Sequence, residues 1–67
     1  MSQREANLLG LRDILEHLTS TQQRLEWTTD RDAVRLLTDN MLRDLERCQR
    51  LCEALRQRNL PNVYTKR

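Results

Sequence analysis

Cys48-x-x-x-Cys52 is the arrangement most suited to chemistry in this 67-residue chain. Thiols four residues apart lie one above the other on a helix face, where they could ligate a soft metal ion or act as a redox pair. An undistorted helical turn orients them poorly for a disulfide. A structural zinc site takes four ligands, and His17 is the only histidine. A hairpin folded about residues 28–30 sets His17 near residue 40, more than ~10 Å along the axis from Cys48. One chain therefore does not complete a metal site, although a two-fold dimer would juxtapose the cysteines of both subunits. The plainer reading is stronger: free cysteine is among the most buried residue types, and both thiols read as small apolar core residues. No serine, cysteine or carboxylate pair converges on His17 in this register, so it reads as a rim histidine. There is no P-loop, glycine-rich dinucleotide turn or H-E-x-x-H motif. The expectation is a non-enzyme with no metal, no cofactor and no small-molecule substrate.

Arg43, Arg47 and Arg50 form a second candidate site. Their spacing puts them on one side of a helix, where they are candidate nucleic-acid contacts tracking phosphates. The net charge of +2 does not imply nucleic acid by itself, but it is unevenly spread. Residues 1–42 carry five basic and seven acidic side chains, and residues 43–67 carry seven basic and three acidic ones. Asp44, Glu46 and Glu53 interleave with the arginines, and no aromatic sits among them to stack on bases. Ion pairing along a solvated face is the simpler account.

The elements that position these groups are legible in the leucines. Leu8, Leu11, Leu15, Leu18, Gln22 and Leu25 step by threes and fours, as do Val34, Thr38, Met41, Leu45, Cys48, Cys52 and Leu55. One Gly, one Pro and no Phe suit long helices with leucine seams. The spacing predicts an all-α helical hairpin over residues 1–59, with a coiled-coil seam. Helix 1 is expected over about 3–27, a turn over 28–30, helix 2 over about 31–58, and an extended tail over 60–67. Ser2 and Glu5 form a capping box for helix 1. Thr29 with Asp32 resembles one for helix 2, and Asn59 with Pro61 ends it. Gly10 costs on the order of 1 kcal/mol relative to Ala, either for a close helix contact or as a tolerated surface glycine. Thr19-Ser20-Thr21 is the weak point of helix 1, but the leucine pattern runs across it. Trp27, beside the turn, is expected to close the end of the core. Facing positions are expected to sum to about 57, the residues flanking the turn pairing first.

Leu9, Ile14, Ala33, Leu36, Leu37, Leu42 and Leu51 widen both stripes beyond a two-helix seam. A lone hairpin cannot cover such a surface, and a four-helix bundle made by a homodimer can. In length and hairpin topology the chain resembles the small plasmid RNA-regulatory proteins that dimerise into four-helix bundles; the resemblance carries no residue across. The functional expectation is an oligomerisation or protein-interaction module. Its interface would be Leu11, Leu15, Leu18, Leu25, Met41, Leu45, Cys48, Cys52 and Leu55, against a second copy or a helical protein partner. The alternative is a dimeric nucleic-acid-binding regulator using Arg43, Arg47 and Arg50. No stretch approaches the ~18–20 apolar residues of a membrane span, and no signal-type apolar region follows Arg4 and Glu5, so no membrane partner is expected. The two cysteines do not make a secreted disulfide framework, and an intracellular, reducing, cytoplasmic location is expected.

Overall fold

The computed structural model describes residues 2–59. The protein is an all-α helical hairpin in which α1 (Gln3–Trp27) packs on α2 (Arg31–Asn59), with no strand among the described residues. Ser2 caps α1. The Glu5 N–H donates to Ser2 Oγ at 3.0 Å, and the Ser2 N–H donates to Glu5 Oε1 at 2.9 Å. Hydrogen bonds to the carboxylate, first from the Ser2 backbone N–H and then from the Ser2 side chain, hold the Glu5 carboxyl below its ordinary value of 4.5. The folded carboxylate is thus favoured over the unfolded one. Its contribution is present at neutral pH and is lost as pH falls through the folded value.

Thr19-Ser20-Thr21 does not break the helix. Thr19 Oγ1 donates to the Leu15 carbonyl at 3.0 Å and Thr21 Oγ1 to the His17 carbonyl at 2.9 Å, so both hydroxyls are satisfied inside the helix. Thr28 leaves the helix in extended backbone, its N–H still bonded to the Leu25 carbonyl. The cap of α2 differs from the expectation. Asp30, not Thr29, accepts from the Ala33 N–H at 2.9 Å, while its carbonyl takes the Val34 N–H. Aspartate is the better N-cap, since its charge also meets the positive end of the helix. The cap assigned to Asn59, the stop at Pro61 and the 60–67 tail concern side chains or residues outside the described ones.

Two contacts set the register. His17 Nδ1 meets Asp44 Oδ2, and a Leu51 methyl fills the space at Gly10, 3.3 Å from where a Cβ would stand. Seven residues up α1 answer to seven residues down α2, so the helices are antiparallel and facing positions sum to about 61. The expected sum of about 57 is one helical turn short. Counting back from the turn finds its midpoint, but the height of one helix against the other depends on which side chains interlock. Gly10 is accordingly a close-contact glycine.

The buried row is also one residue away from the leucine stripe. Asn7, Ile14 and Thr21 are buried on α1, and Leu37 and Asp44 on α2, each set stepping by seven. Leu11, Leu18 and Leu25 on α1, with Val34, Met41, Cys48, Leu51 and Leu55 on α2, are half-buried beside them. Leu8, Leu15, Leu45 and Cys52 are exposed. A one-residue step turns a side chain by about 100° around the axis. Because three of the five buried residues are polar, a search for leucines finds the neighbouring row.

The cap assignment is testable by urea unfolding followed by circular dichroism. Asp30→Ala should cost about 1 kcal/mol, whereas Thr29→Ala should change little. Equal losses would return the cap to Thr29.

Candidate functional site

In an antiparallel pair, equivalent flanking rows of the two helices fall on the same side. Gly10 and His17 meet Leu51 and Asp44, so this edge and its neighbours form one side of the hairpin. The opposite side carries Leu8, Leu15 and Gln22 from α1 and Thr38, Leu45 and Cys52 from α2. The half-buried Leu11, Leu18, Leu25, Met41, Cys48 and Leu55 lie between them. All nine residues expected to form an interface therefore lie on this apolar side, and none of them is buried within the hairpin. Leu15 is 51% exposed, Leu45 49%, and Leu42, on the rim of the same side, 60%. Among the described residues, only Ile14 and Leu37 are buried apolar side chains. That is little for a chain this short to fold around without further association.

Cys48 and Cys52 are both free. Burial pushes the Cys48 thiol above its ordinary value, and the hydrogen bond and charge of Cys52 act in the same direction. A raised value keeps Cys48 protonated near neutrality, in its less nucleophilic form. Among the described residues no group of three or more His, Cys, Asp or Glu is placed to hold a metal ion. His17 lies closer to the cysteines in height than the expected register put it, but it is engaged with Asp44 on the other side.

The polar side is organised by that pair. Asp44 is buried, with His17 on one carboxylate oxygen and Arg47 Nη1 at 3.7 Å from the other. The expected placement of His17 near residue 40, with no carboxylate on it, is corrected by this contact. Asp44 was legible only as one of the charges interleaved with the arginines. The signal that would have found it is its seven-residue step from Leu37 and to Leu51. Arg43, Arg47 and Arg50 are all exposed along this side, with Arg47 drawn toward Asp44. Trp27 does not close the core: it is 84% exposed, and Leu36 near the same end is 63% exposed. A turn of three residues leaves no chain to fold over the indole. At the far end, buried Asn7 accepts from Gln3 Nε2 at 3.2 Å, and its own Nδ2 has no partner.

No family model, curated protein or solved structure matches this chain. No helix among the described residues is long and apolar enough to cross a membrane.

Asp44 shapes the seam at a cost in stability. Asp44→Leu should raise the thermal midpoint, because a buried ionic group is replaced by packing. His17→Ala should lower stability by roughly 1–2 kcal/mol by removing a partner of a buried carboxylate. A fall in midpoint for Asp44→Leu would mean the pair is a net stabiliser.

Proposed function

We propose that this protein is a non-catalytic oligomerisation module, a helical hairpin whose apolar side is covered by another helical surface. The observation that carries the reading is the mismatch between the two sides of the helices. The seam between α1 and α2 buries polar Asn7, Thr21 and Asp44, while Leu8, Leu15, Leu42 and Leu45 are exposed. Leucine gains much from burial, at about 25 cal/mol per Å² of apolar area removed from water, and these four lie outside the seam. Large exposed apolar patches on small proteins mark association surfaces.

Leu45→Asp should abolish assembly, because association would bury an unpaired charge. Light scattering at several concentrations, with reductant present, reads the outcome. Retention of oligomeric mass by the variant would remove this face as the interface.

A second reading is favoured by one further observation. The exposed Arg43, Arg47 and Arg50 occupy the side opposite the apolar one, so covering the apolar side leaves them free. A dimer would double that charge and present it to nucleic acid. A salt-dependent shift with generic RNA or duplex DNA, lost when the three arginines become Gln, is the expected result of this reading. Absence of binding at ~50 mM salt would discard it.

A further inference from the structure

Taking the apolar side as an association surface, we propose that its occupant is a second copy of this chain. The dyad would run parallel to the helices, so that both turns lie at the same end and each α1 packs on the partner's α2. The charges along the rim of the apolar side carry the argument. At steps of seven, the rim of α1 is Glu5, Arg12, Thr19 and Glu26, and the rim of α2 is Arg35, Leu42, Gln49 and Arg56, all exposed. The register set by His17 with Asp44 and Gly10 with Leu51 puts Glu5 level with Arg56, Arg12 with Gln49, Thr19 with Leu42, and Glu26 with Arg35.

A dyad along the helices preserves heights and lays α1 over the partner's α2. Glu5 then faces the partner's Arg56, and Glu26 faces the partner's Arg35. Symmetry makes four opposite-charge pairs, and no like pair occurs in the row. A dyad across the helices, with the turns at opposite ends, lays α1 on α1. At full overlap it sets Glu5 against Glu26 and Arg35 against Arg56, every charged pair repulsive except those involving neutral positions. The inner row discriminates in the same direction. Leu8 is level with Cys52, Leu15 with Leu45, and Gln22 with Thr38. The same-end dimer therefore matches apolar to apolar and polar to polar, whereas the opposite-end dimer puts Leu8 on Gln22 and Cys52 on Thr38. Sliding the opposite-end dimer by a heptad escapes the charge clashes but leaves leucines uncovered at both ends.

The rim groups are available. Glu5 and Glu26 each accept one hydrogen bond within their own helix, from the Ser2 N–H and Gln22 Nε2, and a carboxylate has further lone pairs to offer. Arg35 and Arg56 make no ion pair among the described residues. The size also fits. A side about 37 Å long, from 25 residues, and roughly 20 Å across has an area near the ~800 Å² that each partner contributes to a stable interface.

The test begins with solution mass, where a dimer is expected. A spin label at Thr29→Cys, in a Cys48→Ala/Cys52→Ala variant that keeps the dimer mass, then reports the distance between the two turns. The same-end dimer should give about 25 Å or less, and the opposite-end dimer about 40 Å, one helix length. Arg56→Glu, in the otherwise native chain, gives an independent sign. It sets a second carboxylate against the partner's Glu5 and should raise the dimer Kd roughly three- to thirtyfold at ~50 mM salt, fading as salt screens it. In the opposite-end dimer the same change would face the partner's Arg35 and tighten binding. A long turn-to-turn distance, or tightening by Arg56→Glu, overturns the arrangement while leaving self-association intact. A monomer at all concentrations overturns the second copy as occupant.

Discussion

Two helices lying side by side bury one strip on each and leave everything else to solvent. Among the described residues there is no third layer, so a residue on either helix is in the seam, on one of two sides, or outside. In this hairpin the seam is set by two interlocking contacts, Leu51 at Gly10 and His17 on Asp44. Once those fix the height and rotation of α2 against α1, every other side chain is assigned to a side. Leu8, Leu15, Leu42 and Leu45 fall exposed on one, and Arg43, Arg47 and Arg50 on the other. The exposed apolar surface, its charged rim and these arginines all follow from that rotation.

The seam is unusual in what it holds. A strip containing Asn7, Thr21 and Asp44 gives up apolar burial that the neighbouring leucines would have supplied. Polar groups within a helical seam are tolerated where they define a register, since any slip would strand them without partners. Asp44 has that character, because only this alignment gives it His17, while Arg47 lies one turn along its own helix. Thr21 needs no partner across the seam, its hydroxyl being satisfied by the His17 carbonyl. Asn7 is satisfied only in part, through Gln3. The hairpin thus gives part of its seam to polar groups and leaves Leu8, Leu15, Leu42 and Leu45 exposed.

Cys48 and Cys52 lie on the apolar side with no third ligand among the described residues. His17 is committed to a carboxylate on the other side. The surface offers exposed apolar area on one side and charge on the other.

The sequence by itself determined the elements. Leucine spacing, the Ser2–Glu5 capping box and the Thr28–Asp30 turn were enough to give two helices with bounds within a residue of those observed. These are local signals, carried by side chains three or four positions apart. The apolar stripe of each helix was legible too, because amphipathicity is a property of one helix. Tertiary structure alone decided how the two helices meet. The register moved by a turn, the buried row moved by one residue, and Trp27 came out exposed. The physical reason is that rotation and height between helices depend on pairs distant in sequence. Which leucine a glycine admits and which histidine a carboxylate finds is not written in the period of either helix alone.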